Sequence, residues 1–254
     1  TAYWAQNMAA NSKMQSAPAA SSSLCVGSIH WPNPEVPMEE TVEALDSLLQ
    51  AGKVRCLGIS NFGPTSLGLL KATGYADLFA VNQLPYNLLW RAIEYEVLPA
   101  TVNMGLGLVA YSSLAQGLLT GVYSKVQEVP NYLKVTRFYD AKHGVAEHGE
   151  AGCETEVFAA VEALKEIAAH QKTSLPELAI GWLLAKDEVV SVLSGARTPD
   201  EVIQNVHGAD AAVRTQVLEE ITRLTEKVKE KIGSNPDMWM GAEKSRYGAP
   251  RASQ

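Results

Sequence analysis

Polar or aromatic side chains follow four short apolar segments of this chain, each where the segment ends. The first segment ends at His30, and the second ends at the pair Ser60 and Asn61. The third delivers the amide of Gln83, and the fourth delivers the phenol of Tyr111. Parallel β/α barrels build their active sites from residues at the C-terminal ends of the strands. The pattern therefore predicts a site of hydrogen-bonding groups along one rim of a parallel sheet.

Alternating strands and helices must position these groups. The apolar segments are nearly continuous rather than alternating, which is typical of a parallel sheet covered by helices. A closed barrel has eight strand–helix units and this chain shows five, so we predict an α/β fold of the (β/α)8 TIM-barrel type that is incomplete. The predicted strands are 24–30, 54–60, 79–84, 105–112 and 189–194. The predicted helices are 38–51, one beginning at Pro64, 91–103, 155–170, 175–185, one beginning after Thr198, and 213–231.

Three regions are predicted along the chain. Residues 1–23 form an irregular or linker segment, residues 24–232 form the partial barrel, and residues 233–254 form a polar tail. Within the barrel, 115–153 reads as a long irregular stretch. Its residues His143, His148 and Cys153 lack the spacing of a zinc site, so no metal centre is predicted. The apolar-tipped segment 235–239 is expected to dock on the barrel, with a partner surface as the alternative.

Composition excludes several classes of protein. The 254 residues are 46% hydrophobic and carry a net charge of −7, with no basic run longer than two residues, so nucleic-acid binding is not expected. No apolar run approaches the roughly 18 residues of a membrane span. The three scattered cysteines predict free thiols in a reducing compartment. Residues 1–34 contain no acid and 9–23 are rich in Ala and Ser, which is typical of a plastid transit peptide or of a linker in a cytoplasmic protein.

Five ordered motifs carry a resemblance to a known family. Their residues are 29–34 (IHWPNP), 52–62 (GKVRCLGISNF), 81–83 (VNQ), 111–121 (YSSLAQGLLTG) and 194–199 (SGARTP). With these motifs, residues 28–205 resemble the aldo-keto reductase family, and more closely the branch that includes potassium-channel β subunits and plant and bacterial reductases. The resemblance covers roughly the last two-thirds of a family member. It implies an oxidoreductase lineage with a nicotinamide cofactor at the barrel mouth.

The resemblance assigns parts of that cofactor to particular residues. A hydroxyl and two side-chain amides offer the donors and acceptors that a carboxamide needs, and Tyr111 matches the aromatic residue that stacks on the nicotinamide. Arg197 matches a position able to meet a 2′-phosphate through charge-assisted hydrogen bonds, which favours NADP over NAD. The residues matched to the carboxamide are Ser60, Asn61 and Gln83; those matched to the pyrophosphate loop are Ser112, Leu114 and Gly117; and those matched to the adenosine end are Arg197, Gln204 and Asn205.

The catalytic residues of the family are only partly matched. His30 matches the histidine that orients the substrate carbonyl. The family's aspartate, proton-donating tyrosine and lysine have no counterpart here, because no Asp precedes Asp46 and neither Tyr3 nor Lys13 follows a strand. Losing a positioned acid costs roughly two to four orders of magnitude in carbonyl reduction. Val122 also replaces a lysine that often contacts the phosphates, so cofactor binding is weakened as well.

Three interpretations stay open. The chain is a catalytically impaired family member that serves as a structural subunit of a larger assembly, which the sequence favours narrowly. Alternatively, it belongs to an NADP-dependent reductase of small aldehydes or ketones whose N-terminal catalytic third is absent from the given chain. Thirdly, a partner chain or a swapped protomer completes barrel and site. An open edge at 24–30 leaves unpaired backbone groups and apolar surface, so a second protein chain is expected to cover it.

Overall fold

The computed structural model describes residues 24–210 and 213–248, and its side chains are described from Val26 onward. The prediction of an irregular segment at 1–23 lies outside these residues. The strands are β1 (Leu24–Ile29), β2 (Val54–Ser60), β3 (Phe79–Pro85), β4 (Gly107–Tyr111) and β5 (Val189–Val192). The α-helices are α1 (Met38–Gln50), α2 (Pro64–Ala72), α3 (Val97–Asn103), α4 (Glu154–His170), α5 (Leu175–Leu184), α6 (Pro199–Asp210), α7 (Thr215–Leu224) and α8 (Glu226–Ile232).

The five strands form one sheet in the order β1-β2-β3-β4-β5. Strands β1 and β2 pair in parallel, as do β2 and β3. This confirms the predicted α/β fold with five strand–helix units. Because strand order follows chain order, α1 and α2 serve as the crossovers between the parallel pairs β1/β2 and β2/β3, as parallel pairing requires. Strands β1 and β5 are the outer strands among the described residues.

The described chain folds as two compact units. The first comprises 24–84, 95–109 and 247–248, and the second comprises 85–94, 110–210 and 213–246. The predicted single region 24–232 and its tail stay predictions.

The core of the first unit lies between β2 and the helices α1 and α2. Strand β2 is buried at six of its seven positions, with Leu57 and Ile59 fully buried. Val42 is the fully buried residue of α1, and Leu70 is fully buried on α2. Helix α2 begins with Pro64, whose missing N–H costs nothing in the first turn of a helix. These contacts fix the C-terminal end of β2, where Ser60 lies.

Two predicted helices are broken in the structure. The predicted helix 91–103 is a 3₁₀ turn (Ala92–Glu94) followed by α3, because Pro99 is tolerated only in the first turn of a helix. The predicted helix 213–231 is split at Thr225 into α7 and α8. There the carbonyl of Thr222 accepts a hydrogen bond from Nη1 of Arg91 at 2.8 Å. The same guanidinium nitrogen donates to the Thr225 hydroxyl, which itself donates to the carbonyl of Ile221.

The irregular stretch of the second unit is organised by the buried side chain of Arg137. Its guanidinium donates to the carbonyls of Ile232 and Asn235 and lies over the ring of Trp90. Its backbone N–H donates to the carbonyl of Met238. The segment 235–239 therefore packs against the rest of the second unit, with Asp237 and Met238 fully buried.

Candidate functional site

The first unit brings together the predicted residues at the ends of β2 and β3. Ser60 lies opposite Gln83 in the parallel register. The Ser60 hydroxyl donates to the Gln83 carbonyl at 2.9 Å, and the backbone N–H of Asn61 donates to the same oxygen at 3.0 Å. Ser60 and Asn61 are buried, the Gln83 side chain is half-buried and His30 is exposed. At the rim of β2 and β3, hydrogen bonds to the Gln83 backbone thus hold the Ser60 hydroxyl and the Asn61 backbone.

Asn61 is the centre of this set. Its φ of +62° lies in the left-handed region, which Asn tolerates better than most side chains. Its amide nitrogen donates to the His30 carbonyl and to the Ser60 hydroxyl, both at 3.0 Å. Its amide oxygen accepts a hydrogen bond from the Tyr247 hydroxyl at 2.7 Å. Hydrogen bonds with His30, Ser60 and Tyr247 therefore set the orientation of the Asn61 amide, and the amide oxygen already accepts the one from the Tyr247 hydroxyl.

Sequence reasoning missed Tyr247. Its side chain is buried, and its ring meets the edge of Trp31 at a centroid distance of 5.5 Å. A Cβ placed on Gly63 would come within 2.7 Å of the Tyr247 carbonyl oxygen, so only glycine fits there. A glycine directly after the Ser-Asn-Phe run was the one available signal, and it indicates a close backbone approach without saying which residue approaches.

The second unit contains a cleft of about 700 Å³ beside the loop that follows β4. Residues of this loop with positive φ are Ser112, Ala115, Gln116 and Gly117. Successive backbone N–H groups in such conformations form concavities that bind anions. The loop is fixed from beneath, because the amide of Asn87 donates to the Ser112 carbonyl and the Ser113 hydroxyl donates to the Leu193 carbonyl.

The far wall of the cleft comes from the segment after β5 and the first turns of α6. It contains Arg197, Gln204 and Asn205, and the amide of Asn205 donates to the Gly195 carbonyl at 3.1 Å. Six of the predicted residues therefore line one cleft: Ser112, Leu114, Gly117, Arg197, Gln204 and Asn205. Val122 also lines it and is exposed, where a lysine would have added a positive charge.

Arg197 has a partner inside this wall. The Glu201 carboxylate accepts from the Arg197 guanidinium at 3.0 Å and from its backbone N–H at 2.6 Å. These hydrogen bonds lower the pKa of Glu201, and the largest cause is the backbone N–H of Arg197. The hydrogen bond that the guanidinium donates to Glu201 raises the pKa of Arg197. At the start of α6 the Thr198 hydroxyl accepts a hydrogen bond from the Glu201 N–H, as in a capping box, but the Glu201 carboxylate accepts from the N–H of Arg197.

Tyr111 also belongs to the second unit. Its ring lies nearly parallel to that of Trp239, with centroids 6.4 Å apart and planes inclined by 13°. An aromatic pair of this kind leaves a ring that can present its other face to a flat ligand. The stacking of Tyr111 on a nicotinamide stays a prediction.

The cleft offers hydrogen-bond donors that suit the phosphates of a dinucleotide. Its size is that of small-molecule sites, and its loop offers backbone N–H groups and hydroxyls. Its charge fits less well, because the Arg197 guanidinium is shared with a carboxylate. In residues 24–210 and 213–248, no group of three or more His, Cys, Asp or Glu is placed to hold a metal ion.

Comparison with known proteins defines the family. The sequence model described as "Aldo/keto reductase family" matches residues 26–226, which is most of the chain. The chain therefore belongs to the aldo/keto reductase family. Within its described ranges, no helix has the length and apolar character needed to cross a membrane.

The relatives include both enzymes and channel subunits. The chain is 29% identical over 204 residues to an "NADH-specific methylglyoxal reductase" of Escherichia coli, covering 76% of this chain and 59% of that protein. It is 32% identical over 187 residues to a "Probable voltage-gated potassium channel subunit beta" of Arabidopsis thaliana, covering 71% and 55%. The chain thus spans between half and three-fifths of the length of these relatives.

One solved structure shows the same fold. It is an aldo-keto reductase from Klebsiella pneumoniae in complex with NADPH. The TM-score is 0.59 at 24% sequence identity, and the match covers 80% of this chain and 59% of the other.

Proposed function

We propose that the cleft of the second unit binds the pyrophosphate and adenosine of a nicotinamide dinucleotide, NADP(H) or NAD(H). The observation that carries this is the convergence of the 112–117 loop and the 197–205 segment on one cavity. The loop supplies backbone N–H groups for the phosphates, and Gln204 and Asn205 supply amides for the adenosine. The resemblance assigns the carboxamide to Ser60, Asn61 and Gln83 of the first unit.

When bound, the dinucleotide would supply a hydride donor for a carbonyl group or, in its oxidised form, a hydride acceptor for the corresponding alcohol. The residues of this chain then bind and orient it, with His30 as the residue matched to the substrate carbonyl. The chain by itself holds no counterpart of the family's aspartate, tyrosine and lysine. We therefore propose that these 254 residues alone are catalytically impaired, and that reduction of a small aldehyde or ketone requires an acid supplied by further chain or by a partner.

Nucleotide titration of the purified chain tests this function. We expect NADP⁺ or NAD⁺ to bind with a saturable heat in calorimetry and to stabilise the chain by mass action. Gly117 has a φ of +97°, which glycine adopts freely and valine does not. Gly117→Val should therefore strain the loop and narrow the cleft. The exposed Gly195→Ala, at a conformation open to any residue and with free space around its Cα, is a milder change at the opposite wall. Binding that is lost in the first variant and kept in the second supports the proposal, and no binding by the wild type contradicts it.

A structural role in a larger assembly is the second candidate. Strand β1 of the first unit is an outer strand, and Val26 on it is 44% exposed. In the second unit, the exposed apolar side chains at the end of β5 and on α6 are Leu193, Val202, Ile203 and Val206. Outer strands with apolar side chains favour pairing with another chain. We propose a partner protein chain at 24–30.

Sedimentation of the chain alone tests this second candidate. An apolar partner surface left uncovered predicts self-association and strong binding of a hydrophobic dye. Val26→Lys is expected to reduce both, because charge on an outer strand opposes pairing. A dye-silent monomer of the wild-type chain contradicts the structural-subunit candidate.

A further inference from the structure

One end of the second-unit cleft carries a paired guanidinium. Arg197 and Glu201 both line the cavity, and they form an ion pair of 3.0 Å one helical turn apart. The arginine side chain is 85% exposed and the glutamate side chain 34% exposed, so the pair stands at the mouth, where a ligand can reach it.

The position of Glu201 is fixed by more than its ion pair. One carboxylate oxygen accepts from the Arg197 backbone N–H and the other accepts from the guanidinium. The Glu201 backbone N–H is in turn held by the Thr198 hydroxyl. These hydrogen bonds hold the carboxylate beside Arg197, and moving it away would break the bond from the Arg197 backbone N–H.

The charges then decide which ligand fits. A 2′-phosphate brought to Arg197 meets a carboxylate within the same few ångströms, so repulsion from Glu201 offsets the attraction of the guanidinium. A free ribose 2′-hydroxyl is instead a favourable neighbour for Glu201, because carboxylate oxygens accept hydrogen bonds from hydroxyls. The same pair therefore disfavours the phosphorylated ribose and accommodates the plain one.

We propose that Glu201 is a specificity-determining residue of the cleft, acting against the 2′-phosphate, so that this chain takes NAD(H) at least as well as NADP(H). The proposal rests on the function proposed above for the cleft. It refines the expectation that Arg197 favours NADP, since the arginine is present but its charge is shared.

Calorimetric titration with NAD⁺ and NADP⁺ tests the role of Glu201. The variant Glu201→Gln keeps an acceptor for the Arg197 N–H and removes only the charge. We expect it to lower the Kd for NADP⁺ by about three- to tenfold, the size of a partly screened surface charge effect. The Kd for NAD⁺ should stay the same or rise. Arg197→Gln introduced into that variant should abolish the gain for NADP⁺.

Asp200→Asn is the matched control. Asp200 is exposed on the same turn of α6 and does not line the cleft, so this variant changes net charge by the same amount. It should leave both Kd values unchanged. An unchanged Kd ratio in Glu201→Gln, with an unchanged melting temperature, overturns the proposal for Glu201 while the cleft function stands. Binding of neither nucleotide by the wild type overturns the cleft function itself, and this proposal with it.

Discussion

Three side chains of the second unit hold the Glu94 carboxylate, and its replacement makes a sharp test of the packing there. Its two oxygens accept hydrogen bonds from Nε and Nη2 of Arg91, each at 2.9 Å, and from the Tyr86 hydroxyl at 2.8 Å. The ammonium of Lys229 lies 3.0 Å away. The side chains of Arg91 and Glu94 are 4% and 15% exposed. We predict that Glu94→Gln destabilises the chain and removes much of its sensitivity to acid.

The magnitude follows from the ionisation of Glu94. Burial acts to raise its pKa, but the hydrogen bonds and charges of Arg91, with those of Lys229 and Tyr86, lower it from 4.5 to about 2. A group whose pKa is lowered by folding stabilises the folded state fully above its unfolded pKa. That contribution is lost as the pH falls from about 4.5 toward 2. A shift of this size corresponds to at most about 3 kcal/mol, and residual solvent screening reduces it to about 1 to 2 kcal/mol.

Urea unfolding followed by tryptophan fluorescence measures the effect, since Trp90 and Trp182 lie in the same unit. At neutral pH, Glu94→Gln should lower the free energy of unfolding by about 2 to 4 kcal/mol, because the buried Arg91 loses one of its two carboxylate partners and keeps only the more exposed Glu226. Between pH 4.5 and about pH 3, the difference between wild type and variant should shrink as Glu94 becomes protonated. Glu220→Gln is the control, because Glu220 is exposed on α7. A wild type and Glu94→Gln variant that lose stability in parallel over this range would refute the reasoning.

Three further predictions concern single residues. Gly152→Ala should lower the free energy of unfolding by more than about 2 kcal/mol, because a Cβ there would lie within 2.8 Å of the backbone of Tyr139 and Asp140 and the φ is +70°; an unchanged urea midpoint would contradict this. Burial raises the pKa of the Cys153 thiol to about 12, so it should react with Ellman's reagent at neutral pH only as fast as the chain opens, and rapid labelling of this thiol in the folded state would be evidence against its burial. Tyr247→Phe removes the hydroxyl bound to Asn61 but keeps the ring, and should cost about 1 kcal/mol in thermal unfolding; a neutral effect would mean that the hydrogen bond contributes nothing net.

Local sequence signals predicted the elements well where neighbouring residues determine them. The bounds of β2 were predicted to the residue, because an apolar run is closed by Gly52 and by the polar pair Ser60 and Asn61. The start of α5 at Leu175 was likewise predicted correctly, since Ser174 and Glu177 satisfy each other's backbone N–H groups within four residues.

The signals failed where distant residues decide the structure. The break between α7 and α8 depends on Arg91, which is 131 residues from Thr222, and no local pattern at 213–231 reports it. The contact of Tyr247 with Asn61 joins residues 186 apart. In the candidate site, the resemblance supplied positions but not the pairing of Arg197 with Glu201, which depends on the side-chain geometry of the first turn of α6.

The most direct test of the central claim is a crystal structure of the chain grown with saturating NADP⁺ or NAD⁺. We expect density for the pyrophosphate against the backbone N–H groups of 112–117, and density for the adenosine beside Gln204 and Asn205. A dinucleotide bound elsewhere would contradict this claim. So would an empty cleft in a crystal grown at a dinucleotide concentration that saturates the chain in solution.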